Sequence, residues 1–195
     1  LKRTTQTISY MPYFISIVVV AGLIIDFTEA DGFVAQVVTL LGGDGETLRS
    51  DPGAFRSIYV FSNVWQFMGF GSVVYLAAIS GIDPELYQAA LIDGAGRWRQ
   101  TLHITIPGIA ATIVILLILR IGNLMSVGFD KIFLLYSPVN YETSDVIATF
   151  VYRKGLLEAN YGFGTAVGLF NSVINFVLLL GANALSRKYS ESSLF

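Results

Sequence analysis

The sequence predicts an all-α protein that crosses a membrane several times, and three observations support this fold class. Hydrophobic residues make up 54% of the 195 positions and charged residues 13%, against about 25% charged residues in a typical soluble domain. Four windows of about 20 mostly apolar residues are each long enough to cross a bilayer core of roughly 30 Å. Because lipid offers no water to the backbone, an isolated span must be a helix. We therefore predict a single transmembrane domain over residues 1–195 with four helices.

The predicted elements follow in chain order. The four spans cover residues 8–27, 58–79, 104–127 and 163–185. Between the first two, the run FVAQVVTLL is too short to span and is followed by a glycine-rich stretch at 42–45, so we predict a short helix at the membrane interface. Between the last two, Ser144 or Asp145 can accept a hydrogen bond from a helix N-terminus, and a second short helix is predicted to start after one of them.

The orientation follows from the charges that flank the spans. An even number of spans places both ends of the chain and the segment 81–103 on one side of the membrane. Basic residues divide almost evenly between the two sides, while acidic residues concentrate on the opposite side. Positive charge marks the cytoplasmic side, and acidic residues contribute little to orientation. On the small excess of basic residues, we predict that both ends of this chain are cytoplasmic.

Composition excludes several functional classes. The chain has no cysteine and one histidine, His103, which has no second ligand-type residue at suitable spacing, so no metal site is expected. A net charge of −2 gives no support for nucleic-acid binding. No G-x-x-x-x-G-K-[ST] phosphate loop occurs in the sequence, so we expect this chain to bind no nucleotide cofactor.

The segment 81–107, GIDPELYQAALIDGAGRWRQTLHITIP, carries the most specific pattern. Asp83 can cap a helix whose first position is Pro84, with an acidic residue in the first turn. Alanines at three- and four-residue spacing make a face that permits close approach of a partner. Gly94 and Gly96 weaken the helix and predict a bend. Pro107 predicts a kink at the entry to the third span.

This segment resembles the cytoplasmic loop of permease subunits in binding-protein-dependent ATP-binding-cassette (ABC) importers. The matching residues are Gln88, Ala89, Ala90, Asp93, Gly94, Ala95, Ile104 and Pro107. Gln88 departs from the glutamate usual in the family, which removes a salt bridge at that position but keeps a hydrogen-bonding amide. The stretches VYLAAISGIDPELY, ILLILRIGN, YETSDVIATFVYR and AVGLFNSVINFVLLLGAN are similar to the carbohydrate-uptake branch, the oligosaccharide permeases of the LplB type.

The resemblance implies a permease, not an enzyme, in a bacterial cytoplasmic membrane. A permease of this family has six helices, so this chain would hold the last four and two N-terminal helices would be absent. The loop would be a coupling helix that docks on a separate ATPase, which binds ATP and Mg²⁺. Further partners implied are a second permease subunit, an extracytoplasmic solute-binding protein and a sugar or oligosaccharide. The coupling residues are expected to be Glu85, Gln88, Ala89, Ala90, Asp93, Gly94, Ala95, Arg97, Trp98, Arg99 and Pro107.

Polar side chains inside the predicted spans are candidates for the substrate path. By span they are Asn63, Trp65 and Gln66, then Arg120 and Asn123, and last Asn171 and Asn175. Amides offer donors and acceptors to sugar hydroxyls. Each set has a structural alternative, because amides also bond across helices and an arginine near a span end can reach the interface. Gly164 and Gly168 form a G-x-x-x-G pair, which predicts close helix packing.

Two alternative functions differ in what they predict. A permease for a solute other than sugar would share the loop, because that motif occurs across importers. A membrane-embedded enzyme would need a nucleophile, a base and an orienting group converging in one pair of spans, and the sequence shows no such set.

Overall fold

The structure, a computed structural model, describes residues 2–45, 48 and 51–189, with the side chains of 2, 188 and 189 left aside. The helices are α1 (Lys2–Tyr10), α2 (Ile17–Thr28), α3 (Phe33–Leu40), α4 (Pro52–Ser80), α5 (Pro84–Ile92), α6 (Arg97–Gln100), α7 (Ile106–Gly108), α8 (Ala110–Gly122), α9 (Phe129–Leu135), α10 (Tyr141–Ser144), α11 (Ile147–Val151) and α12 (Tyr161–Tyr189). All regular structure within the described residues is helical, which confirms the predicted all-α class.

The first predicted span is wrong as a continuous helix. A 3-10 turn over Met11–Phe14 follows α1, and the chain becomes extended at Ile15 and Ser16 before α2 begins. The helical run Arg3–Phe14 and the run Ile17–Leu40 are bent by 98° relative to each other. Pro12 accounts for the end of α1 at Tyr10, because proline has no N–H to donate and its ring collides with the preceding turn of an α-helix. Hydropathy alone did not predict this interruption, because the residues around it are mostly apolar.

The second and fourth predicted spans are confirmed as continuous helices, within α4 and α12. The third ends at Gly122 rather than at residue 127, and the chain bends by 63° at the break between α7 and α8, two residues after Pro107. Within the described residues, one helix, over Tyr161–Arg187, is by itself long enough and apolar enough to cross a membrane. The count reaches four if each of three bent helix pairs is one span.

Two compact units make up the chain. One contains residues 1–70 and 126–168, and the other contains residues 71–125 and 169–195. In the first unit the core joins Ala21 of α2, Phe55 of α4, and Ile132 and Leu135 of α9. Burial of a phenylalanine, isoleucine or leucine side chain contributes about 1.5–3 kcal/mol, so the short helix α9 is held against two longer ones.

The short helices predicted between spans are both present. α3 covers most of the FVAQVVTLL run, and Gly42 after it has a φ of +86°, a conformation that favours glycine. α11 begins after Asp145, and the Thr149 hydroxyl accepts a hydrogen bond from the Val146 N–H at 3.0 Å. Location of α3 at the membrane interface stays a prediction.

Of the predicted G-x-x-x-G pair, Gly164 is closely packed in the structure and Gly168 is not. A Cβ added at Gly164 would lie 3.5 Å from the Cα of Gly155, in the π-helical turn Tyr152–Leu157, whereas one added at Gly168 would meet no atom within 4 Å. Gly164 therefore permits close approach to a local neighbour in the same unit.

Candidate functional site

The segment between α4 and α8 begins with the helix that the sequence predicts. Asp83 is the N-cap of α5, and its carboxylate accepts a hydrogen bond from the Glu85 N–H at 2.9 Å. Pro84 occupies the first helical position. This arrangement satisfies one of the N–H groups that a helix start leaves open and places a negative charge near the positive end of the helix dipole.

A glycine ends α5 and reverses the chain. Gly94 has a φ of +73°. The Ala95 N–H donates to the Ala90 carbonyl at 2.8 Å and the Gly94 N–H to the Leu91 carbonyl at 3.1 Å, the hydrogen-bond pattern of a Schellman motif. The predicted bend therefore has a definite origin, because only a residue without Cβ takes this φ at no steric cost.

The next turn of helix is tied back to that bend. α6 starts after Gly96, and the Gln100 side-chain amide donates to the Ala95 carbonyl at 2.8 Å. The Tyr87 and Thr105 hydroxyls, 2.9 Å apart, connect α5 to the π-helical turn Thr101–Thr105. Hydrogen bonds thus connect α5, the bend and the start of the third predicted span.

The predicted coupling residues all lie on this connected structure, and most are exposed. Half-buried are Ala90 and Ala95; exposed are Glu85, Gln88, Ala89, Asp93, Gly94, Arg97, Trp98, Arg99 and Pro107. Large apolar side chains share the surface, with Ile92 exposed by 87% and Trp98 by 81%. Exposed apolar patches of this kind mark contact surfaces for other molecules. The arrangement suits docking of a partner protein.

A polar cluster on α4 brings two of the predicted path residues together. The Asn63 side-chain oxygen accepts a hydrogen bond from the Lys131 ammonium at 3.0 Å, and Ser62 accepts a longer one at 3.4 Å. One turn further, the Gln66 amide nitrogen donates to the Ile15 carbonyl at 3.4 Å, where the first span breaks. The side-chain oxygen of Gln66 is buried and has no hydrogen-bond partner.

Lys131 is the buried charge at the centre of this cluster. It lies on α9 and is 2% exposed, and its Nζ is 5.6 Å from the centre of the Phe67 ring. Burial lowers the pKa of Lys131 from 10.5 to about 8, because a charged group loses its hydration inside a protein. At neutral pH the side chain therefore still carries its proton.

The other predicted path residues are placed differently. Trp65 is 49% exposed on α4. Arg120 is exposed near the end of α8, and the Asn123 amide donates to the Leu119 carbonyl at 3.1 Å, within its own helix end. In α12 the Asn175 oxygen accepts a hydrogen bond from the Met125 N–H at 3.3 Å, while the Asn171 oxygen is buried without a partner.

The segment between α9 and α12 is held by an ion pair that sequence reasoning missed. Both Asp145 oxygens accept hydrogen bonds from Arg153, at 2.9 and 2.6 Å, and Thr149 donates to one of them at 2.6 Å. The Arg153 guanidinium also lies 4.7 Å from the centre of the Tyr141 ring. The hydrogen bonds from Arg153 hold the pKa of Asp145 below its usual value.

We expect the change Asp145→Asn to lower the free energy of unfolding of the solubilised protein by about 1.5–3 kcal/mol, the usual contribution of a hydrogen bond to a charged group. Because the folded pKa of Asp145 is depressed, its contribution is present above the unfolded value near 3.9 and is lost as the pH falls through the folded value. The difference in Tm from the unchanged protein should therefore shrink below about pH 4.

The matched control is Glu158→Gln, which breaks an exposed i,i+4 pair with Lys154. Exposed pairs contribute about 0–1 kcal/mol, so Tm should barely move. Equal effects of the two variants would contradict the assigned role of the Asp145–Arg153 pair.

Sequence patterns contained only a weak signal for Lys131. It stands as a single cation in the apolar run FDKIFLLY, between two predicted spans, and its partners lie 68 and 69 positions earlier in the chain. No group of three or more metal-type ligands occurs among the residues described by the structure.

Comparisons with known proteins agree with this geometry. Residues 1–191 match the family described as "Binding-protein-dependent transport system inner membrane component". Protein LplB of Bacillus subtilis is 38% identical over 195 residues, which is all of this chain and 61% of LplB. The polygalacturonan/rhamnogalacturonan transport system permease protein YteP of the same organism is 37% identical over the same shares. The chain therefore spans about three fifths of the length of these two relatives.

Two solved structures share the fold. A chain of a bacterial alginate ABC transporter, crystallised with an alginate pentasaccharide-bound periplasmic protein, superposes with a TM-score of 0.94 at 46% identity, covering 99% of this chain and 67% of that chain. A bacterial ABC transporter involved in the import of the acidic polysaccharide alginate gives 0.91 at 47% identity, covering 96% and 66%. Since the family match extends over nearly every residue, this chain belongs to the family of binding-protein-dependent transport system inner membrane components.

Proposed function

We propose that this chain is part of the transmembrane permease subunit of an ABC importer that carries a sugar or oligosaccharide. The observation that supports this most directly is the exposed helix α5, capped by Asp83, ended by Gly94 and hydrogen-bonded through Tyr87 to the entry of the next span. A helix that is exposed on one side and linked to a span on the other can pass movement from a docked protein to the membrane helices.

The proposal assigns the energy source to another polypeptide. An ATPase with bound ATP and Mg²⁺ would dock on the exposed surface around Ile92 and Trp98. A second permease would complete the path across the bilayer, and an extracytoplasmic solute-binding protein would deliver the saccharide. In this arrangement both ends of the chain and α5 lie in the cytoplasm.

The saccharide class is supported by the relatives and by the amide groups of the first unit. YteP carries polygalacturonan and rhamnogalacturonan in its name, and the structural relatives import alginate. Asn63 and Gln66 on α4 place amide groups on neighbouring turns, where residues three apart share a helix face. Trp65 lies on the same helix.

Reconstitution tests the proposal. The full-length permease, its partner permease, the ATPase and the binding protein are placed in proteoliposomes, and uptake and ATP hydrolysis are measured over a panel of oligosaccharides. We expect at least one saccharide to be taken up and to stimulate hydrolysis in the presence of the binding protein. Failure of every saccharide, with uptake of an amino acid or a metal ion instead, would favour the permease for another solute class.

Capture of the ATPase tests the docking surface separately. This chain has no cysteine, so the change Ile92→Cys places a single thiol in this chain, at an exposed position of α5. We expect a short thiol-reactive crosslinker to join this position to the ATPase subunit. Labelling of Ile92→Cys from the outside of intact cells would contradict the orientation.

A further inference from the structure

An ammonium group with no counter-ion lies inside the first unit. Lys131 is 2% exposed, and its hydrogen bonds go to the neutral side chains of Ser62 and Asn63. Within the described residues no carboxylate forms an ion pair with it. Buried charges in proteins are ordinarily paired or coordinated, because an isolated charge in a low-dielectric interior is strongly unfavourable. Ionisable groups with strongly perturbed surroundings cluster at functional sites.

The remaining capacity of the site matches an anionic saccharide. A lysine ammonium has three N–H donors and no acceptor. Lys131 directs two of them to neutral oxygens, of Asn63 at 3.0 Å and of Ser62 at 3.4 Å, and its Nζ lies 5.6 Å from the centre of the Phe67 ring. One helical turn away the buried Gln66 oxygen has no donor. A carboxylate would accept a hydrogen bond from the Lys131 ammonium and neutralise its charge, and a neighbouring hydroxyl would donate a hydrogen bond to the Gln66 oxygen.

We propose that Lys131, backed by Asn63 and Gln66, is a specificity-determining residue that binds a carboxylate of the transported saccharide, so that the importer takes uronate-containing oligosaccharides. The inference rests on the proposed function, because Lys131 is buried where α9 packs on α4 and would meet the saccharide only in a state of the transport cycle that exposes it. The carboxylate then replaces Asn63 as the partner of the ammonium, with no covalent change.

The experiment compares acidic and neutral substrates in the complete reconstituted complex. Uptake is measured for uronate trisaccharides, of mannuronate and of galacturonate, and for the same trisaccharides with their carboxyl groups reduced to alcohols. The permease variants are Lys131→Met, which removes the charge, and Lys131→Arg, which retains it. Lys154→Met is the matched control, since this exposed lysine of the same unit pairs with Glu158. The same binding protein is used throughout, so its own preference cancels between variants.

We expect Lys131→Met to lower the ratio of acidic to neutral uptake by about 10- to 100-fold, the factor that corresponds to a hydrogen bond between charged groups. Lys131→Arg should keep most of the ratio, and Lys154→Met should leave it unchanged. Assembly of the complex and its basal ATP hydrolysis serve as measures of folding.

The outcomes separate the inference from the proposed function. Equal loss of acidic and neutral uptake in Lys131→Met would overturn the inference, because the lysine would then only support the fold. Uptake of neutral saccharides with no uptake of any uronate by the unchanged complex would also overturn it and leave the proposed function standing. Failure to take up any saccharide would overturn both.

Discussion

Replacing Gly94 with threonine is expected to uncouple ATP hydrolysis from uptake while the protein remains in the membrane. The φ of Gly94 is +73°, and a residue with a Cβ costs about 1–2 kcal/mol in this left-handed region. A β-branched side chain is a particularly poor fit there. The Schellman hydrogen bonds from Gly94 and Ala95 that end α5 would weaken, and the direction of α5 relative to α6 would change. The surface that we propose as the docking site of an ATPase would then be displaced.

The measurement is the amount of saccharide taken up per ATP hydrolysed in proteoliposomes. Since 1.4 kcal/mol corresponds to a factor of ten, we expect that ratio to fall by about tenfold. Gly96→Thr is the matched control. Gly96 lies two residues away with a φ of −70° and a ψ of 168°, conditions that threonine adopts readily, and a Cβ there meets no atom within 4 Å. Normal coupling in Gly94→Thr would count against a role for this bend in docking.

Replacing Gly69 with alanine is expected to destabilise the first unit. Gly69 is buried on α4, and a Cβ added there would overlap the backbone carbonyl of Ser9 in α1. Backbone atoms of a helix cannot move aside singly, so α1 as a whole would shift away from α4. Inserting extra atoms into a packed interior usually costs about 1–3 kcal/mol. We therefore expect a lower Tm of the solubilised complex and less assembled transporter.

Gly71→Ala is the control because it changes the same helix two residues later. A Cβ at Gly71 meets nothing within 4 Å, and alanine is favoured over glycine inside a helix by up to about 1 kcal/mol. Both variants gain the same helix propensity. A Tm that falls in Gly69→Ala and rises in Gly71→Ala would therefore isolate the effect of the collision with Ser9. Equal stabilisation by the two changes would show that α1 does not approach α4 this closely.

Local features of the fold follow well from the sequence. The cap at Asp83, the first-turn Pro84 and the reversal at Gly94 all depend on residues within a few positions of one another, and the structure has each of them. The long apolar windows within α4 and α12 are also continuous helices. The first span failed for a local reason that hydropathy does not measure, since Pro12 is apolar and yet interrupts the hydrogen-bond ladder.

Within the candidate site, the sequence alone identified Asn63 and Gln66 as polar positions in a span, and the segment 81–107 as a capped and bent helix. These features are encoded by side-chain type and by spacing along a single helix. Only the tertiary structure placed Lys131 on Asn63, 68 positions away, and brought Gly69 against Ser9. The physical reason is that backbone preference is a property of neighbouring residues, whereas the partner of a buried charge or of a glycine is set by the packing of helices distant in sequence.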